Sequence, residues 1–202
     1  MIIDLKNNLW QLIVDWLSDI PKGNQNMQAI NNFDHMLRDL RPSDVILFEG
    51  VTLHQEGVPT SIIDKAAIDY GMPMGPLELA DTVGLDIYLH VGKILAGIVG
   101  VKLPNTLDKE VENGRLGKKT GQGFYLWKKG KKVAETNKTW DEDKDNIQQR
   151  LINKLLDESK KCLQEGIVED ADLLDAGVIF GTGFAPFRGG PMHSVKHIDY
   201  AM

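Results

Sequence analysis

A single cysteine, Cys162, stands in this 202-residue sequence. No disulfide can therefore close within the chain, which favours a reducing compartment. Its setting between Lys161 and Leu163, in a helical pattern, points to packing rather than to a nucleophile. Uninterrupted apolar runs of membrane-spanning length are also missing. The best candidate, 87–101, is broken by His90, Gly92, Lys93 and Gly97. The first residues lack the basic segment and small-residue cleavage site of a secretory leader. A soluble cytoplasmic protein is the expectation. Basic residues are too few for general nucleic-acid binding: 23 Lys and Arg face 29 Asp and Glu, for a net charge of -6, so phosphates would meet no overall excess of cations.

Familiar catalytic signatures are absent too. The chain has no G-x-S-x-G elbow, no P-loop spacing and no G-x-G-x-x-G between a strand and a helix. His193 and His197 stand four apart on an expected helix, but no H-E-x-x-H pattern or cysteine pair accompanies them, so no metal site is expected. His35, His54 and His90 are single residues within helical patterns.

What the chain does contain is helical periodicity. Leu5, Leu9, Leu12, Ile13, Trp16 and Leu17 form one stripe between Asp4 and Pro21, and Met27, Ile30, Phe33, Met36, Leu37 and Leu40 a second. Further helices are expected from Pro42 to Gly57, Pro59 to Tyr70, Leu77 to Val83, Asp86 to Ile98, Thr106 to Val111, Asn146 to Glu165, Asp172 to Phe180 and Pro191 to Ile198. Arg115 to Phe124 breaks this texture with glycines and cations. Tyr125-Leu126-Trp127 then alternates like a strand, and Lys128-Lys129-Gly130-Lys131-Lys132 reads as a hairpin tip or exposed linker. The plainer account of that segment is a solvated basic turn. Its functional counterpart is an anion cradle built from glycine N–H groups with Lys118 and Lys119.

Two stretches share one grammar. Gly71-Met72-Pro73-Met74-Gly75-Pro76 links a helix to a helix entered through Gly-Pro, and so does Phe180 to Pro191. The upstream segments also correspond: Gln55-Glu56-Gly57-Val58 with Gln164-Glu165-Gly166-Ile167, and Ile63-Asp64 with Leu174-Asp175. These are two imperfectly spaced copies of one helical unit. In the second loop, Gly181, Gly183, Gly189 and Gly190 alternate with Phe180, Phe184 and Phe187. Rings in a merely flexible loop would sit in water, so the loop is expected to fold against a surface. Arg188 can stack or pair there, most simply with Asp172 or Asp175.

At these residues the sequence resembles a known family. The run from Ile63-Asp64-Lys65-Ala66 through Met72-Pro73-Met74-Gly75-Pro76-Leu77-Glu78-Leu79-Ala80-Asp81 to Asp86 resembles the carboxy-terminal helical domain of 3-hydroxyacyl-CoA dehydrogenases. Gly114-Arg115-Leu116-Gly117-Lys118-Lys119-Thr120-Gly121-Gln122-Gly123-Phe124-Tyr125 resembles the end of that domain. Residues 150–191 resemble the second, degenerate copy in multifunctional fatty-acid oxidation alpha subunits. The resemblance implies an all-α protein with two tandem, pseudo-two-fold related copies. An unassigned helical hairpin at 1–43 would precede a first domain at 44–134 and a shorter second at 135–202.

The family oxidises 3-hydroxyacyl thioesters with NAD held by a Rossmann domain, which also supplies the catalytic base. Neither the cofactor fold nor that base is found in this sequence, so the resemblance implies no catalytic or cofactor-binding residue here and a fragment inactive by itself. Aligned without gaps, the family's substrate-contacting Asn-Arg pair falls on Leu40-Arg41, keeping the arginine and losing the amide. A substrate-contacting tyrosine falls on Phe180. Arg41, Phe180 and Phe184 are thus the implied substrate-binding residues. Acyl-CoA, a separate NAD-binding domain or a second copy of the chain are the implied partners. A non-catalytic acyl-CoA-binding or interaction module is the alternative.

Overall fold

Apolar spacing, interrupted by glycine and proline, builds a succession of short helices. A computed structural model describes residues 45–99, 105–133, 140 and 144–199, which all fall within one compact unit, Met36–Met202. The two helical stripes expected before Leu40, and Arg41 itself, lie outside the described residues. Helix α1 covers residues 45–55, and α2 Thr60–Tyr70, α3 Pro76–Val83, α4 Leu85–Val99 and α5 Asn105–Glu112 follow. A hairpin of β1 (Trp127–Lys128) and β2 (Lys131–Lys132) separates these from α6 (Lys144–Gln164), α7 (Ala171–Thr182) and α8 (Pro191–Asp199). The described fold is all-α apart from that hairpin.

One apolar cluster joins the elements. Ile46, Leu47, Val51 and Leu53 of α1, Ile63 of α2, Leu77 of α3, and Leu151 and Leu155 of α6 are all buried in it. Helix α6 is the central member, packing on α2, α7 and α8. Polar contacts add to this: Gln148 of α6 donates to the Ala66 carbonyl at 2.9 Å. Arg150 of the same helix reaches back to α1, pairing with Glu49 at 2.7 Å and with Glu56 just beyond that helix at 2.6 Å. A fork of guanidinium donors suits two carboxylates at once.

The helix ends repeat one another. After α1, Gly57 (φ +100) donates to the His54 carbonyl and Val58 to that of Leu53. After α6, Gly166 (φ +67) donates to Leu163 and Ile167 to Cys162. Both are left-handed C-terminal stops, for which glycine has no Cβ penalty. The Gln-Glu-Gly correspondence in the sequence thus marks the same backbone event twice.

Candidate functional site

Both helices entered through Gly-Pro are held by a carboxylate from the preceding helix. Asp64 on α2 accepts from the backbone N–H groups of Leu77 at 2.8 Å and Glu78 at 2.9 Å, in the first turn of α3. Asp175 on α7 accepts likewise from Met192 at 2.6 Å and His193 at 3.0 Å, in the first turn of α8. First-turn N–H groups lack partners within their own helix, and a negative charge there also faces the positive end of the helix dipole. The glycine before each proline permits the approach. A Cβ on Gly75 would lie 2.2 Å from Asp64, and one on Gly190 2.3 Å from Asp175.

A third carboxylate fastens the glycine-rich block. Asp81 on α3, fully buried, accepts from the N–H groups of Phe124 (2.9 Å) and Tyr125 (2.8 Å) and from the Trp127 indole (2.8 Å). Gly117 and Gly123 exist for this contact: Cβ atoms there would come within 2.3 Å of the Asp81 carbonyl and 2.1 Å of its carboxylate. Tyr125 joins the two networks, because its hydroxyl donates to Asp64 at 2.8 Å. Burial raises the Asp64 carboxyl to about 6, against the pull of its hydrogen bonds and of Lys132. Burial likewise pushes Asp81 and Asp175 upward. Asp64 thus combines burial with a perturbed pKa, two features of a general acid or base. Its three donors, however, are two helix N–H groups and a structural tyrosine, which makes it an anchor.

The phenylalanine-rich loop folds against the end of α2. Phe184 is buried, with its ring tilted against Tyr70 at 5.7 Å. Arg188 stacks its guanidinium 4.0 Å from the centre of the Tyr70 ring and donates through Nε to the Tyr70 carbonyl at 2.9 Å. The expected pairing of Arg188 with Asp172 or Asp175 is therefore corrected. Asp175 is already engaged by α8, and the open carbonyl at the end of α2 takes the guanidinium instead. The loop does fold against a surface, but of its three rings only Phe184 is buried, since Phe180 and Phe187 are 79% and 76% exposed. Phe187 lies across Gly71, where a Cβ would meet its ring at 2.6 Å, and the Arg188 guanidinium lies 5.4 Å from the ring centre. Phe180 stands on the outer side of α7, next to Gly177 and Gly181, whose absent Cβ atoms would meet nothing within 4 Å.

The basic segment is a closed hairpin rather than a linker. Lys119 pairs with Asp86 and Lys132 with Glu78, each at 2.5 Å, and Arg115 pairs with Glu110 at 2.6 Å. Most glycine N–H groups expected to cradle an anion are turned inward: Gly117 donates to Gln122, Gly121 to Lys118 and Gly123 to Tyr125. A cleft of about 170 Å³ lies between α2 and α6, lined by Ile62, Lys65, Ala66, Asp69, Asp145 and Gln148. Among the described residues no group of three or more His, Cys, Asp or Glu is placed to hold a metal ion, and no helix is long and apolar enough to cross a membrane.

Comparison with known proteins bears on the same stretch. The family model "3-hydroxyacyl-CoA dehydrogenase, C-terminal domain" matches residues 44–127, the span that contains Asp64, Asp81 and Tyr125. The match places residues 44–127 in that domain family. Among curated relatives, the fatty acid oxidation complex subunit alpha of Shewanella halifaxensis is 36% identical over 165 residues, covering 76% of this chain and 23% of the relative. The corresponding subunit of Shewanella amazonensis is 38% identical over 166 residues, covering 76% and 24%. This chain thus spans about a quarter of the length of the curated relatives it matches. Among solved structures, 3-hydroxybutyryl-CoA dehydrogenase from Escherichia coli K12 shares the fold, with a TM-score of 0.60 at 18% identity over 81% of this chain and 52% of that one.

Buried acids could be taken for catalytic groups, but here Asp64 and Asp175 fasten helix starts and Asp81 fastens the glycine-rich block. The implied substrate residues are not gathered in one place: Phe184 is core, Phe180 points to solvent, and Arg41 lies outside the described residues. Sequence reasoning passed over Asp64, Asp81 and Asp175 as functional anchors. The signal was present in the correspondence of Ile63-Asp64 with Leu174-Asp175, each upstream of a Gly-Pro helix start.

Proposed function

We propose that these residues form the substrate-cleft and dimerisation portion of an NAD-dependent 3-hydroxyacyl-CoA dehydrogenase of fatty-acid β-oxidation, and that by themselves they do not turn over substrate. The observation that carries the reading is the Asp64–Tyr125–Asp81 clasp, which lies wholly inside the stretch matched by the family model. It fastens the two motif blocks of the domain, 61 and 44 residues apart along the chain, into one rigid body. The tandem reading, with residues 44–134 and 135–202 as pseudo-two-fold related copies, is supported by the matched pairs Asp64 and Asp175, Gly75 and Gly190, and Gly57 and Gly166. A pair of such copies presents one another's helices as a dimer of single copies would.

Oxidation of a 3-hydroxyacyl thioester requires a base for the hydroxyl proton and a nicotinamide that accepts hydride. The described residues do not fit NAD. Their one sheet is a two-residue-per-strand hairpin, with no strand-to-helix crossover at which a dinucleotide pyrophosphate would rest. Nor do Asp64, Asp81 and Asp175 offer a base, since their oxygens are spent on hydrogen-bond donors. Chemistry is therefore assigned to groups outside these residues, and shape to this domain.

The test is NADH formation from 3-hydroxybutyryl-CoA, measured with this chain alone and with a separately expressed NAD-binding domain of a fatty acid oxidation alpha subunit. No turnover alone and measurable turnover with the added domain is the expected result. Turnover by this chain alone overturns the assignment.

A further inference from the structure

The hairpin segment is rich in cations, and only some of them meet an acid among the described residues. No Asp or Glu occurs between Glu112 and Glu135. Three cations of this stretch are paired, Arg115, Lys119 and Lys132. Among the described residues Lys118, Lys128, Lys129 and Lys131 have no acidic partner.

Two features of the tip work against its own stability. Lys128 lies directly across from Lys131 in the antiparallel register, and like charges opposite one another repel. Lys129 has φ +50 and is the one non-glycine residue with positive φ among the described residues. Together with Gly130 at φ +73 it makes the two-residue loop for which Asn, Asp or Gly is the favoured first residue. A lysine there accepts strain that a smaller residue would avoid. Lys118 lies at the same hairpin, its ammonium 5.5 Å from the centre of the Trp127 ring.

We propose that this tip is a binding site for a soluble ligand that carries two adjacent phosphates. A diphosphate group set between the facing Lys128 and Lys131 would relieve their repulsion and add charge-assisted hydrogen bonds. Size selects the ligand class: two strands about 4.8 Å apart present a spot commensurate with one or two phosphates. A nucleic-acid tract needs a longer basic track. The inference is independent of the dehydrogenase reading, whose assay follows NADH formation.

The experiment is calorimetric titration of the whole chain with inorganic pyrophosphate at low ionic strength, beside the exposed double variant K128E/K131E, with orthophosphate and phosphatidylserine vesicles as further arms. The expected result is pyrophosphate binding stronger than orthophosphate binding, weakened by about tenfold or more in the variant as two charge-assisted contacts are lost. A K129G variant is expected to melt at higher temperature yet bind pyrophosphate more weakly, which separates strain kept for binding from strain without purpose. Equal pyrophosphate responses in wild type and K128E/K131E overturn the site. Vesicle binding without a pyrophosphate response overturns the soluble ligand in favour of a lipid surface.

Discussion

Asp64 and Asp175 perform one task in two surroundings. Each accepts from two N–H groups at the start of a helix entered through Gly-Pro, yet 13 residues separate Asp64 from its first donor and 17 separate Asp175 from its own. The extra residues form the 3-10 turn Pro186–Arg188, which carries Arg188 to Tyr70. The longer loop thus reaches out to the end of α2, while the shorter one is closed over by the hairpin block through Tyr125. Exposure follows the same division, 2% for Asp64 against 7% for Asp175. A helix start can be anchored in either loop length, and what surrounds the anchor determines how rigid it becomes.

The widest expected break in this comparison is Asp81→Ala, which has no counterpart around Asp175. It leaves three donors of the clasp without their acceptor, each worth about 1–3 kcal/mol where buried, and urea denaturation should show a loss of about 4 kcal/mol or more. Next, Asp64→Ala should cost more than Asp175→Ala, because it strands a tyrosine hydroxyl besides two N–H groups. A difference of about 1 kcal/mol or more between them is expected from the same measurement. Equal losses would show that Tyr125 adds nothing to the first anchor.

The pH dependence sharpens the contrast. The folded-state pKa of Asp64 is raised, from 3.8 to about 6. Its stabilising contribution is therefore complete below pH 3.8 and is lost as pH rises through about 6. Wild type should gain stability relative to Asp64→Asn as pH falls from 7 to 5, and denaturation midpoints across that window check it. Tyr125→Phe is a smaller change, expected to cost about 1 kcal/mol while moving the Asp64 transition to higher pH, since a hydrogen bond to the ionised form is removed. Smallest of all, Arg188→Lys keeps the charge but loses the planar stack and the directed Nε–H bond. About 0.5–1 kcal/mol is expected from thermal melts.

Much of the helical framework was legible before any coordinates. Gly-Pro helix starts and Tyr-Gly stops located α2, α3 and α8 within a residue or two, because proline at a first turn and glycine after a last one are backbone requirements local to the chain. The hairpin tip at Lys129-Gly130 was visible for the same reason, as one of two readings of that segment. The candidate site was less legible. Asp64 and Asp175 were paired as repeat positions, but an aspartate four residues into a helical pattern gives no local sign that it reaches the next helix. Phe180 and Phe184 look alike in a glycine-rich run, and only the neighbouring helix distinguishes the exposed ring from the buried one.

The sequence by itself determined where helices begin and end, since apolar period, glycine and proline act over a few residues. Tertiary structure alone decided the partners. Asp81 meets the Trp127 indole 46 residues away, Tyr125 meets Asp64 across 61, and Arg188 meets the Tyr70 carbonyl across 118. Contacts of that range depend on how helices pack around the common core, and no local pattern encodes which buried donor a carboxylate or guanidinium will face.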